Sequence, residues 1–314
     1  MAYAKGESVE TRQGTILVAG ATGFIGKRLV TALLAEGFRV RAVVRSPGMQ
    51  FPNEVETIPG DLLDRSSLVS VLDGIDTAFY LVHSMAAGRA GFERRDRQAV
   101  ENFVSTANRA GLRRAIYLGG LGETGSGLSK HLASRLEVAE ILKSGNFMTT
   151  VLRAAIIIGS GGASYEIIKA LVERLPIMIT PKWVSTNCQP IAVRDVIKYL
   201  TGCLLDERTA GDTFDIGGPE ILTYREMMQR FARIRNKKIV IVPVPFLTPR
   251  LSSYWVGLVT PAKPSVAIPL IEGLRNEVIC RDKRIRELLP IPLTPFDESI
   301  RIAMAEGNRY AGAV

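Results

Sequence analysis

Histidine and cysteine are scarce. The 314 residues contain two histidines, His83 and His131, and three cysteines, Cys188, Cys203 and Cys280. None of these has metal-ligand spacing, so no metal site is expected. Three widely separated cysteines suit core or incidental thiols in a reducing compartment rather than a disulfide framework, and a cytoplasmic location is expected. Long apolar runs are also lacking. No stretch reaches the length of a membrane span, and no cleavable secretory signal is evident. Residues 1–13 are polar and read as a loose tail. The formal charge is +9, with a pI near 9.6. The basic residues are mostly interleaved with acidic ones, as in GFERRDRQAVENF and CRDKRIRELL. They form no basic stripe or basic–aromatic module, so nucleic acid is not an expected partner and an anionic small molecule is.

What is present centres on Thr15–Ser46, TILVAGATGFIGKRLVTALLAEGFRVRAVVRS. A short apolar run precedes a turn containing Gly20, Gly23 and Gly26. An amphipathic stretch from Phe24 to Glu36 follows, with Ile25, Leu29, Leu33 and Leu34 at helical spacing. Gly37 suits the helix stop and Phe38–Val44 a second strand. Strand, glycine turn, helix and strand make the first half of a dinucleotide-binding fold. In that reading Gly20 turns the chain sharply, Gly23 lets the backbone approach a pyrophosphate, and Gly26 lets the helix lie close on the sheet. The phosphates face the free N–H groups at the helix start, so Thr22, Phe24 and Ile25 join the three glycines as cofactor-binding candidates. At the end of the second strand, where an NAD site usually carries an acidic residue, stand Arg45 and Ser46, with Arg41 nearby. A guanidinium can grip a 2′-phosphate that a carboxylate would repel. NADP(H) is therefore expected in preference to NAD(H).

The G-x-x-G-x-x-G spacing of GATGFIG resembles the extended and atypical branches of the short-chain dehydrogenase/reductase superfamily. LVHSM, FERRDRQAVENF, YLGGLG, LSKHLASRLEVAEIL and VLRAAIIIGSG extend the likeness, in order, from about Thr15 to Glu298. Together they resemble the atypical extended group that includes nitrogen-regulator-like proteins and the nucleotide-binding accessory subunit of respiratory complex I. That group holds reductases, redox sensors and structural cofactor binders. The resemblance implies that Asp61 accepts a hydrogen bond from the adenine amino group while Leu62 packs on the ring. It also implies that the backbone at Ala154 and Ala155 passes the nicotinamide. Active members carry a Ser after the fifth strand and Tyr-x-x-x-Lys on the next helix. Here Gly119 or Gly120 holds the serine place, His131 the tyrosine place and Arg135 the lysine place. The standard set is missing. His131 is a candidate proton carrier, Arg135 a candidate ribose or phosphate ligand, and the reading of both as helix-surface residues stays open.

The rest of the chain reads as repeated α/β units. The expected strands include Val55–Ile58, Ala78–Val82, Ala115–Leu118 and a continuous Thr149–Ile158, and Gln189–Val193 is read as a return to the main sheet. Ligands sit at the carboxyl ends of parallel strands, which makes Val82, His83 and Ser84 candidates to line the cofactor. The expected fold class is α/β: a Rossmann-type doubly wound parallel sheet with a smaller, mostly helical C-terminal lobe. The nucleotide-binding domain is placed at 14–160, its sheet completed by about 188–217. The lobe is placed at 161–187 and 218–306, and a second tail at 307–314. Val242–Leu270 is rich in proline and apolar residues. It reads as the wall of an apolar substrate pocket, as a peripheral membrane contact, or as plain packing or a subunit contact. Two functions stay open. One is an NADP(H)-dependent reductase or isomerase of an apolar or carbonyl substrate. The other is a catalytically silent NAD(P)(H)-binding redox sensor or assembly factor.

Overall fold

The computed structural model describes residues 14–45, 51–83, 91–122, 130–244 and 277–311. Side chains at 130–131, 182–183 and 308–311 lie outside the description, as do Ser46, Ser84 and residues 245–276 of the proline-rich stretch. In chain order the elements are β1 (Thr15–Ala19), α1 (Phe24–Ala35), β2 (Arg39–Val44), β3 (Val55–Pro59), α2 (Leu68–Leu72), β4 (Ile75–Tyr80), α3 (Phe92–Ala110), β5 (Arg114–Gly120), α4 (Lys130–Lys143) and β6 (Met148–Ala154). They continue with β7 (Ile157–Ile158), α5 (Ala163–Arg174), β8 (Ile177–Pro181), β9 (Asn187–Cys188), β10 (Ile191–Ala192), α6 (Val193–Leu205), β11 (Thr213–Ile216), β12 (Leu222–Thr223), α7 (Tyr224–Ile234) and β13 (Val240–Val244). Two further helices, α8 (Arg284–Leu288) and α9 (Phe296–Ala311), complete the series.

Seven strands form one parallel sheet in the order β11-β6-β5-β4-β1-β2-β3. The central strands β1, β4, β5 and β6 are buried at most positions because both faces are covered. On one face Leu29, Val30 and Leu33 of α1 and Val196, Leu200 and Cys203 of α6 pack on Ile16, Val18, Phe79, Ile116 and Leu152. On the other, α2, α3 and α4 pack through Leu68, Phe103, Ala107 and Leu142 on Leu17, Ala78, Tyr80 and Tyr117. The strand order reverses between β1 and β4, which opens a crevice at their carboxyl ends, as a doubly wound fold requires.

Four sequence expectations shift. β4 runs from Ile75 to Tyr80, so Leu81–His83 lies beyond the strand, where the Leu81 N–H still donates to Ala19 O at 2.9 Å. The run read as one strand over Thr149–Ile158 breaks after Ala154: β6 stays in the main sheet, and β7 leaves it to pair with β10. Gln189–Val193 therefore does not return to the main sheet, and β11 closes it instead, beside β6. Helix α9 runs through residues 307–311, which the sequence reads as tail.

A third apolar cluster joins α5, α7 and α9 through Tyr165, Ile168, Met227, Phe231 and Ile300. Two ladders brace it: antiparallel β9–β12 and parallel β8–β13. Helix α7 starts with a capping box between Thr223 and Glu226, as its T-x-x-E spacing predicts. Arg28 of α1 ties this lobe to the nucleotide-binding side. Its guanidinium donates to Phe24 O (3.0 Å) and Ser160 O (2.9 Å), and pairs with Glu306 of α9 (2.9 Å).

Candidate functional site: the crevice at the carboxyl end of the sheet

Between β1 and α1 the chain turns at Gly20, whose φ of +90° is a conformation that favours glycine. A Cβ at Gly20 would lie 2.8 Å from Leu81 O, so the turn rests directly on the exit of β4. A Cβ at Gly26 would overlap Gly20 O and lie 2.7 Å from Ala21 Cα. The first turn of α1 thus sits on the loop with no room for a side chain. Gly23 caps α1 with extended backbone, and no side chain or first-turn carboxylate occupies the helix start. That leaves a cradle of backbone N–H groups and a positive dipole end suited to a pyrophosphate. Thr22 lies in this turn, and Ile25 packs on the core beside α1. The Phe24 ring lies under the Arg28 guanidinium and against the Gly159 and Gly162 backbone.

At the end of β2, Arg45 is exposed and has no hydrogen-bond or ion-pair partner among the described residues. Arg41 is committed elsewhere. It forks onto Glu56 (2.8 and 3.1 Å) and donates to Asp73 O at 2.7 Å. Past β3, Asp61 Oδ1 accepts the Leu63 N–H (3.0 Å), so this carboxylate caps its own turn. Leu62 is buried in the core on the α2–α3 face, and its carbonyl accepts from Asn102 Nδ2. Val82 is partly buried against the same core.

His83 is the centre of a network the sequence does not reveal. Its Nδ1 lies 2.9 Å from Oδ2 of Asp96, a residue of α3 that is 3% exposed. Ser134 of α4 donates to the same oxygen at 3.3 Å. The Phe92 ring stands edge-on to the imidazole. Burial and the neighbouring Arg135 guanidinium push the His83 pKa down to about 4, against the pull of Asp96. At neutral pH the ring is uncharged and Nδ1–H donates to the carboxylate. The imidazole Nε2 is shielded from solvent, so His83 anchors the exit of β4 to α3 and α4.

This arrangement has a pH signature. The unfolded histidine takes up a proton below its ordinary pKa of 6.5, whereas the folded one resists until about 4. Stability is therefore lost as pH falls through this window, by roughly 2 kcal/mol at pH about 5. Denaturant unfolding of the wild type and His83→Asn should diverge over this range, the variant having the flatter slope. Equal slopes would place the buried neutral imidazole in doubt.

Arg135, on α4, donates from Nη1 to Leu118 O at 2.9 Å and lies over Gly120, beside the end of β5. Its carbonyl accepts from the buried Tyr117 hydroxyl, at 3.3 Å. His131 is one turn earlier on α4, and its side chain lies outside the described residues. Ala154 is buried at the end of β6, its carbonyl accepting from Leu121 N, and Ala155 packs against the lobe.

Next to these strand ends lies a cavity of about 310 Å³, lined by Leu121, Gly122, Arg153, Asp215, Glu277, Val278, Ile279 and Arg281. Arg153 and Asp215 face each other in register on β6 and β11. Arg153 donates to Asp215 Oδ1 from Nε (2.8 Å) and Nη2 (2.6 Å). Asp215 Oδ2 accepts the backbone N–H groups of Arg281 (3.0 Å) and Asp282 (3.2 Å). A charged residue inside each of two buried strands is a signal for such a pair, because neither charge is tolerated there alone. Among the described residues no cluster of His, Cys, Asp and Glu could hold a metal, and no helix is long and apolar enough to cross a membrane. The three cysteines are buried and free.

Comparison with known proteins agrees with this geometry. Residues 20–171 match a family model described as NAD(P)H-binding. A 3β-hydroxysteroid dehydrogenase/Δ5→4-isomerase of Mycobacterium tuberculosis is 33% identical over 35% of this chain and 32% of its own. A chloroplastic divinyl chlorophyllide a 8-vinyl-reductase of Zea mays is 26% identical over 74% of this chain and 63% of its own. The chain thus spans less than two thirds of either relative. Among solved structures, a nucleoside-diphosphate-sugar epimerase from Staphylococcus aureus superposes with a TM-score of 0.74 at 15% identity, covering 91% of this chain and 99% of the other. The Citrobacter triphenylmethane reductase, solved with NADP(H), gives 0.72 at 19% identity, with coverages of 92% and 99%. These likenesses show the fold.

Proposed function

We propose that this chain, an NAD(P)H-binding protein of the short-chain dehydrogenase/reductase-like kind, is an NADP(H)-dependent reductase or isomerase of an apolar or carbonyl substrate. The observation that carries the reading is the cradle itself: a glycine turn with no space for a Cβ, an uncapped helix start, and an exposed Arg45 at the end of β2. Backbone N–H groups in the first turn of α1 hold the pyrophosphate, and Arg45 receives the 2′-phosphate. When bound, the nicotinamide supplies a hydride donor or acceptor at its C4 position. Arg135 and the β5–β6 ends flank the place where that ring belongs in this fold, and the neighbouring cavity receives the substrate. The imidazole of His131 carries the proton to or from the substrate.

A second reading has its own observation. β5 ends in Gly119-Gly120 with no hydroxyl, and Arg135 is occupied with Leu118 O, which suits a chain that binds the dinucleotide without turning it over.

One set of titrations separates these. Arg45→Ala should weaken NADPH by about 10–100-fold and leave NADH nearly unchanged. Equal affinity of the unmodified protein for both would end the 2′-phosphate assignment. NADPH loss is then followed against a panel of quinones, aldehydes and enones, with the wild type and His131→Ala. Turnover lost in the variant with NADPH affinity retained supports the proton role. Tight binding without turnover across the panel supports the silent binder.

A further inference from the structure

The parallel β8–β13 ladder breaks the usual rule for a half-buried sheet. Met178 and Ile241 face inward to the lobe core and are buried. The alternate positions should then be polar. They are Ile177, Ile179, Val240 and Val242, with exposures of 62%, 55%, 56% and 42%. Register places Val240 beside Ile177 and Val242 beside Ile179, so the four side chains form one contiguous aliphatic square on the outer face.

The same parallel pairing brings the two lead-in segments to one end of the ladder, where Val240 N donates to Pro176 O at 2.9 Å. These segments carry Arg174, Arg235, Lys237 and Lys238, all exposed. One carboxylate, Glu173, is among them; it pairs with Arg235, and its carbonyl accepts from Lys237. Beyond that pair, Lys237 and Lys238 add two further cations beside the aliphatic square. The whole chain carries +9.

We propose that this face is a docking surface for an anionic lipid bilayer. Lys237 and Lys238 repel the same patch on a second copy, which disfavours self-association through it. Valine and isoleucine give nucleic-acid bases nothing to stack on. The square also lacks the aromatic, methionine and hydrogen-bonding groups that anchor protein interfaces. Short aliphatic side chains beside long cationic ones match the boundary between acyl chains and phosphate headgroups, where apolar insertion and surface charge act together. The surface lies on the lobe, and its occupation needs no turnover.

The test is co-sedimentation of the full chain with vesicles of phosphatidylcholine alone, or with about 30% phosphatidylserine. Binding to the anionic vesicles only, weakened at about 0.5 M salt, is expected. Ile179→Ser/Val242→Ser and Lys237→Glu/Lys238→Glu should each lower the bound fraction by about tenfold. All substituted positions are exposed, and circular dichroism checks that the variants remain folded. Failure of the wild type to sediment with anionic vesicles would overturn the proposal, as would folded variants that bind like wild type. Concentration-dependent dimers abolished by the serine variant, or capture of an acidic protein in preference to vesicles, would also overturn it.

Discussion

Gly26→Ala is expected to abolish dinucleotide binding and to destabilise the fold. Alanine is the better helix former by about 1 kcal/mol, so propensity alone would favour the change. Geometry opposes it. The new methyl would overlap Gly20 O, with Ala21 Cα at 2.7 Å and Gly20 C at 2.8 Å, and all three are backbone atoms. Nothing there can rotate aside, so either α1 lifts off β1 or the Gly20 turn opens. Lifting α1 exposes Leu29, Val30 and Leu33, which are buried against the sheet. Opening the turn moves the N–H groups meant for the phosphates. A loss of roughly 3 kcal/mol in denaturant unfolding is expected. NADPH affinity should fall by at least about 100-fold, as the helix start leaves its place. Lys27→Ala, at the exposed next position, is the control. Near-native stability and binding in Gly26→Ala would contradict the close packing of this turn.

Asp215→Ala should be nearly as damaging, for an electrostatic reason. One Asp215 oxygen takes both bonds from Arg153, and the other takes two backbone N–H groups from the 281–282 segment. Removing the carboxylate leaves a largely buried guanidinium and two donors without acceptors. A cost of about 3 kcal/mol is expected, most of it from the abandoned partner and not from the pair itself. The double variant Arg153→Met/Asp215→Ala should therefore recover part of the loss. A double variant as unstable as the sum of the two single changes would show that the residues do not act as a pair. Because Arg153, Asp215 and Arg281 all line the cavity, Asp215→Asn is the milder probe of the site: it keeps one oxygen acceptor and removes the charge, while its NH2 replaces the other acceptor with a donor.

What the sequence discloses is what is local. The glycine turn, α1 and β2 are consecutive, and each signal lies within a few residues of the structure it specifies. The parallel strands are legible as apolar runs. The same property hides the break after Ala154: Ile156–Ile158 is as apolar as β6, and periodicity cannot show that a buried run changes partner sheet. Asp96 is invisible for another reason. It stands among Glu93, Arg94, Arg95 and Arg97, where a solvated helix face is the natural reading, and only the packing of α3 beside α4 buries it. Asp195 reads as a helix opener. It also accepts the backbone N–H and hydroxyl of Thr294, 99 residues away, at 2.6 and 3.0 Å. The aliphatic square on β8 and β13 depends on a register between strands more than sixty residues apart in the chain.

The Arg28 staple gives the two halves of the molecule a shared thermodynamic account. A single guanidinium joins α1, the helix proposed to receive the phosphates, to Ser160 O and to Glu306 on the last helix. A second ligand that displaces α9 must strain or release that junction, and so alters the affinity of the first. Linkage is reciprocal, so the dinucleotide must change the affinity for that second ligand by the same factor. A titration of each ligand with the other held at saturation measures that factor, and Arg28→Ala should bring it towards one.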